Sequence, residues 1–383
     1  MTFFSTLGLT QQHGARLRCS VPGVISIADV TATPLDIELN EPFGIATGAQ
    51  HVARNVLVTL TLSDGTVGIG EAAPFPAVNG ETQGAVLKAL AEAQKALLHH
   101  DALRFRAVSR VAADVLPDVP TARAAFESAL LDAICRRAEL SLWSFFGGAE
   151  PLLLSDITIT TGSAEAAEAA AQRAAAAGFR TLKVKVGGVA FDHDRARLVA
   201  IARAAPNAEL VLDANASLSA DGALELLAAL GDARTRVTLF EQPCGKLDLE
   251  GLRKVRERAG TLVAADESAC SAGEVVTLIR ERAVDVINIK TMKSGVLEAM
   301  AMISVARAAG LGLMIGGMVE SKLSMTVSAC LAAGMGGFEF VDLDTPWFMR
   351  NAPLNGGWDA RGATLQVDHI TLGHGVTLAP SVS

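Results

Sequence analysis

The chain has 383 residues, 50% of them hydrophobic and 19% charged, with a formal net charge of −8 and a pI near 5.5. That length and apolar content suit an ordered globular protein of about two domains and exclude a disordered chain. The acidic balance argues against a nucleic-acid partner, which would call for a basic patch, and no apolar run reaches the ~18–20 residues that span a bilayer.

Residues 1–24 lack the basic and apolar regions of a secretory signal and read as a loose extension. Five cysteines without paired spacing, Cys19, Cys135, Cys244, Cys270 and Cys330, fit a reducing compartment. Together these set a cytoplasmic location as the expectation. Residues 25–62 read as extended chain, interrupted by a Gly/Ala-rich loop, PFGIATGAQ, and Asp64-Gly65 is a hairpin turn. A second loop, APFPAVNGET, leads into helical periodicity at 82–103 and again at 119–138. Residues 25–150 are therefore predicted to form an α+β domain.

From Asp156 the pattern changes to strict alternation of apolar β-like runs with helices. DITIT precedes a helix with Ser163 as N-cap and Gly178 as its stop. Seven further runs follow, TLKVKV, ELVLDAN, VTLFEQP, LVAADE, VDVINIK, LGLMIGG and FEFVDLD, with helices between them. Measured from Thr160, the successive strand ends lie 24 to 28 residues apart. Such a repeat predicts a parallel sheet with right-handed crossovers, closed into a (β/α)7β TIM-like barrel over 151–345. Residues 346–383 show no comparable eighth helix and are predicted to run back to the first domain.

Charged residues close these runs, where barrel active sites lie. Asp213, Glu241 and Asp266 end three successive strands, so their carboxylates can converge. Unpaired they would repel one another, and an all-oxygen set favours one Mg²⁺ ion over zinc. None of the seven histidines falls on a strand end. Taken singly, each acid also suits a helix N-cap. Lys183 and Lys185 are two apart and share one face of their strand. A buried lysine is expected to have a depressed pKa and to act as a base. Lys290 ends the sixth strand, across the barrel from the second, with Lys293 its nearest competitor. One amine on each face of a bound substrate is the arrangement for 1,1-proton transfer.

KVK, LDAN, FEQP, ADES and INIKTMKSG, in this order and spacing, resemble the enolase superfamily in its muconate-lactonizing subgroup. The resemblance runs from about Ile25 to beyond the barrel. It implies a capping domain on a (β/α)7β barrel, and Mg²⁺ bound by Asp213, Glu241 and Asp266. It also implies proton abstraction α to a carboxylate, with the enediolate stabilised on the metal. Lys185 and Lys290 match the acid/base pair, and Lys183 the residue that helps neutralise the substrate carboxylate. Within the subgroup, a DxD at the eighth strand end marks the dipeptide epimerases. Here it is Asp342 and Asp344, whose acids would suit a substrate ammonium; a solvated pair, or a pair bridged to Arg350, is the alternative. Thr158, Gly317 and Val319 match substrate-binding stretches of those enzymes.

One departure bears on specificity. The Ala-Glu epimerases carry an arginine in a PFKTALR-like capping loop. This chain has PFGIATG, with Gly48 at the matching position, small or apolar neighbours Ile45, Ala46, Thr47 and Ala49, and Arg54 the nearest cation. Phe75 sits in the second loop. An uncharged, hydrophobic second residue of the dipeptide is therefore expected. The sequence reading is a Mg²⁺-dependent dipeptide epimerase acting on a small-molecule dipeptide, with homo-oligomerisation left open. Its rivals are N-acylamino-acid racemase, cycloisomerase or o-succinylbenzoate synthase-like dehydratase chemistry, and a non-catalytic barrel that binds a metal and a ligand.

Overall fold

Three long strands, Ile27–Ile45, Gly48–Leu62 and Val67–Ala72, pair antiparallel at the start of the chain. The computed structural model of the protein describes residues 24–45 and 48–379; the extension up to residue 23 and two capping-loop residues, Ala46 and Thr47, lie outside the described residues. The predicted hairpin turn is present: Gly65 takes φ +87, and the Asp64 carboxylate accepts the Thr66 N–H at 3.1 Å.

Helices Gln83–Leu97, Phe105–Val115 and Pro120–Arg137 cover one face of this sheet. The periodicity at 82–103 overran the first of them and missed the second. The helix stops because the chain is drawn to the edge of the first strand, with the Ile27 N–H donating to the His100 carbonyl and the His99 N–H to the Ile27 carbonyl. Helix Pro120–Arg137 packs closely because Gly68 and Gly70 leave room: a Cβ at either would collide with its backbone, at Ala129 and Ala125. Gly70→Ala is therefore expected to destabilise the protein by about 1–3 kcal/mol, the usual cost of overpacking. The check is a lowered urea midpoint with an unchanged slope; an unmoved midpoint would mean that the helix yields freely.

Eight parallel strands follow: Ile157–Ile159, Thr181–Lys185, Glu209–Asp213, Val237–Glu241, Leu262–Ala265, Val286–Ile289, Gly312–Ile315 and Phe340–Val341. Each is hydrogen-bonded to the next, and the Asp156 N–H donates to the Val341 carbonyl at 2.8 Å, joining first to last. Seven long helices alternate with them, the first capped by Ser163. Alternate residues divide as the period of two requires. Leu182, Val184, Leu210, Leu212, Ile287 and Ile289 pack outward in the core shared with the helices, whereas Val211, Leu239, Ala264, Val286 and Met314 fill the barrel interior.

Beyond the eighth strand the chain makes a 3-10 turn, Thr345–Phe348, in place of an eighth helix. Met349–Arg350 then pairs with Glu38 and Leu39 of the first strand, and short antiparallel pairs complete the segment. Among the described residues no helix is long and apolar enough to cross a membrane.

Candidate active site

The strand register stacks the charged residues into layers. Lys183 pairs with Val211, and one layer higher Lys185 pairs with Asp213 and Asp213 with Glu241. Asp266 and Lys290 follow at the ends of the next strands on the same inward face. Lys183 is completely buried, with its Nζ 2.6 Å from Asp342, 2.7 Å from Glu241 and 3.1 Å from Asp213. The Lys185 Nζ donates to Asp213 Oδ2 at 2.6 Å, and the Lys290 Nζ to Asp266 Oδ2 at 2.7 Å. Lys293, in the helical turn after the sixth strand, reaches back to Asp266 Oδ1 at 2.6 Å.

These contacts set the electrostatics. Burial disfavours the charge on Asp213 and Asp266, but Lys185 and Lys183 hold Asp213, and Lys290 and Lys293 hold Asp266, well below the ordinary carboxylate range. Glu241 goes the other way: burial and the Asp213 carboxylate push it up to about 7. Lys290 departs from the sequence expectation. Burial opposes its charge, yet Asp266 and Glu241 raise its pKa.

The strand-end acids fit a hard divalent cation. They are three buried carboxylates without a histidine or thiol among them, and Glu241 Oε2 makes no hydrogen bond although Lys183 stands 2.7 Å away. Four lysines face a larger number of acids, because Asp156, Glu267, Glu320, Asp342 and Asp344 also lie close by.

Above these residues, between the barrel end and the N-terminal sheet, lies a narrow cleft. Lys185, Lys290, Asp342 and Asp344 supply its polar side, and Phe43, Phe75, Val78 and Met318 its apolar side. The first three apolar residues come from the N-terminal sheet and the turn after it. That sheet is docked by Glu71, whose buried carboxylate accepts the N–H groups of Ser321 and Ser324 at a barrel-helix N-terminus. The strand end carrying Lys185 is fixed from behind by Arg197, fully buried, which donates to the carbonyls of Lys185 (2.8 Å) and Thr160 (2.7 Å) and to Asp194 (3.0 Å).

Residues 27–147 match the family described as mandelate racemase / muconate lactonizing enzyme, N-terminal domain, and residues 165–382 the one described as enolase C-terminal domain-like. The chain belongs to the mandelate racemase/muconate lactonizing enzyme family of the enolase superfamily. Among its relatives is an aromatic dipeptide epimerase from Herpetosiphon aurantiacus, 47% identical over 92% of this chain and 99% of that one. A mandelate racemase/muconate lactonizing enzyme from Roseiflexus sp. superposes with a TM-score of 0.86 at 49% identity, covering 93% of this chain and 99% of that one. The dipeptide epimerase from Enterococcus faecalis V583, solved with Mg and the dipeptide L-Leu-L-Tyr, superposes with a TM-score of 0.88 at 31% identity, covering 92% and 99%.

Of the residues singled out in sequence, this family member gathers Lys185, Lys290, Thr158, Gly317, Asp342 and Asp344 around the cleft. Lys183, Asp213 and Glu241 are packed among one another in the barrel end, and Asp266 accepts from Lys290 and Lys293. Two residues lie elsewhere. Val319 packs with Phe75 and Leu323, and its carbonyl accepts from Asn55 at 2.9 Å. Gly48 lines a neighbouring groove with Arg54 and Phe75, where a Cβ would stand 2.9 Å from that of Ala77. The eighth strand ends at Val341, so Asp342 and Asp344 lie just past it and still converge. Arg350 meets Asn40 instead of these acids, and Arg54 pairs with Asp36 at 3.5 Å. Sequence reasoning did not assign Asn215, Phe43, Val78, Met318 or Asp156 to the site. Asn215 lay within the quoted LDAN and Phe43 within the capping loop; Asp156 shares the inward face of Thr158, two residues on.

Proposed function

We propose that this chain is a Mg²⁺-dependent dipeptide epimerase. It inverts the α-carbon of the C-terminal residue by proton transfer between Lys185 and Lys290, and prefers a hydrophobic residue there. The observation that carries this reading is one cleft bearing a lysine from each side of the barrel, a pair of buried acids and an apolar wall. The second and sixth strands are opposite one another in a ring of eight, so the two amines address opposite faces of one carbon.

When bound by Asp213, Glu241 and Asp266, Mg²⁺ would supply positive charge at the substrate carboxylate and so acidify the α-proton. Lys183 adds a fixed buried cation beside the same acids. Were Asp266 and Glu241 to serve a dication, they would no longer favour the Lys290 ammonium, and burial would favour its neutral, basic form. One lysine takes the α-proton while the other, as ammonium, delivers a proton to the far face. Asp342 and Asp344 hold the ammonium of the first residue. Phe43, Phe75, Val78 and Met318 exclude water around the second side chain. The free buried thiols at Cys135, Cys244 and Cys330 go with a reducing, cytoplasmic setting.

A dipeptide library incubated in D₂O and read by mass spectrometry tests the reading. Dipeptides ending in an aromatic or aliphatic residue should gain one deuterium and a diastereomer. N-acetylation should lower kcat/KM by roughly 10²-fold, since it removes the charge that the buried Asp342 and Asp344 carboxylates would hold. L-Ala-L-Glu should be a poor substrate. Preference for N-acyl amino acids would move the reading to a racemase. Preference for L-Ala-L-Glu would keep the epimerase and put Arg54 in the role of the absent capping-loop arginine.

A further inference from the structure

A second group of buried acids lies apart from the strand-end triad. Among the described residues, Asp156, Asp342 and Asp344 bring one carboxylate oxygen each within 4.8 Å of the other two. All three are buried, at 3%, 6% and 1% exposure. Two of them have partners: Asp342 Oδ2 accepts from the Lys183 Nζ at 2.6 Å, and Asp344 Oδ2 from the Thr158 N–H at 2.5 Å. Asp156 Oδ1 is buried and has none. The nearest ammonium, Lys183, is shared with Asp213 and Glu241, so it cannot neutralise the group. Burial and the two neighbouring carboxylates push Asp156 well above the ordinary carboxylate range, and Asp344 up to about 7. Three carboxylates in so little space, one of them unpartnered, are costly to bury unless a cation joins them.

We propose that Asp156 completes a three-carboxylate cation pocket with Asp342 and Asp344, which takes the ammonium of the dipeptide or, in its absence, a second hard divalent cation. The pocket spans the seam that closes the barrel, where the Asp156 N–H is bonded to the Val341 carbonyl, next to Asp342 in sequence. Oxygen-only donors suit both an ammonium and a divalent ion such as Mg²⁺ or Mn²⁺. Excess metal then competes with the dipeptide for a place distinct from the triad of strand ends. The ammonium half of the inference rests on the epimerase reading; the metal half does not.

The test is a Mn²⁺ titration of metal-stripped, full-length protein, followed by electron paramagnetic resonance. The wild type should bind two Mn²⁺ per chain, and Asp156→Asn and Asp344→Asn one each. Thermal melts would show that both variants fold. L-Leu-L-Tyr should displace the second Mn²⁺, whereas N-acetyl-L-Leu-L-Tyr should not. Asp156→Asn should also raise the KM for L-Leu-L-Tyr by about tenfold or more, the usual loss for one hydrogen bond to a charged group. One Mn²⁺ per wild-type chain, or two in both variants, would overturn the proposal and leave Asp156 as a buried acid held by a proton. Two Mn²⁺ in a protein that epimerises no dipeptide would sink the epimerase reading and leave the cation pocket standing.

Discussion

Lys185→Ala and Lys290→Ala should each abolish epimerisation, lowering kcat by about 10³-fold or more, within the upper range for loss of a positioned general acid or base. Inversion needs both lysines in one turnover, because the proton removed from one face must be replaced from the other. The two variants should nevertheless differ from a generally disrupted enzyme. Each retains one amine, so each should still exchange the α-proton of one diastereomer with solvent deuterium. Lys185 can be removed without unpairing Lys183, which keeps Glu241 and Asp342; Lys290 can be removed without emptying Asp266, which keeps Lys293. The site should therefore survive both changes. Proton NMR in D₂O gives the exchange of each isomer, and polarimetry gives the inversion. Inversion at the wild-type rate in both variants would show that the protons move through other groups. Loss of both inversion and exchange in one variant would make its lysine a structural residue.

The barrel was legible because its signal repeats. Eight apolar runs with period-two alternation, the first seven each followed by a helix, leave little freedom in topology, and register follows from which face is apolar. The charged layer was legible for the same reason: Lys183/Lys185 and Asp342/Asp344 are two apart, and strand parity sends each pair inward. What escaped was set by contacts between distant segments. The break after Leu97 comes from the edge of the first strand. Phe43 and Val78 reach the cleft only because Glu71 and Asn55 dock the antiparallel sheet on the loop and helix that start at Val319. Lys290 illustrates the same limit in electrostatics. Burial alone predicts a depressed pKa, but the sign depends on Asp266 at 2.7 Å, which no local pattern reveals.

Chelation should remove activity and Mg²⁺ should restore it, and substitutions of the three strand-end acids should separate metal binding from folding. Asp266→Asn and Glu241→Gln are both expected to abolish the thermal stabilisation that Mg²⁺ gives the wild type, because each removes one of three anionic donors. Their effects on metal-free protein should differ. Asp266 accepts from two buried ammoniums, Lys290 and Lys293, and its carboxyl is held far below the ordinary range. Removing its charge leaves both cations short of a partner and should destabilise the metal-free fold by about 3–5 kcal/mol, the cost of breaking a buried pair. Glu241 is buried beside Asp213 with its carboxyl raised from 4.5 to about 7. The folded state thus binds this proton more tightly than the unfolded chain, so the stability contributed at Glu241 falls as pH rises through that interval. A neutral glutamine keeps the shape and removes that dependence, and should leave metal-free stability at pH 8 unchanged or higher. Urea unfolding in EDTA measures both. A large loss in Glu241→Gln would mean that its ion pair with Lys183 outweighs its desolvation, and full activity in EDTA-treated enzyme would remove the metal from the mechanism.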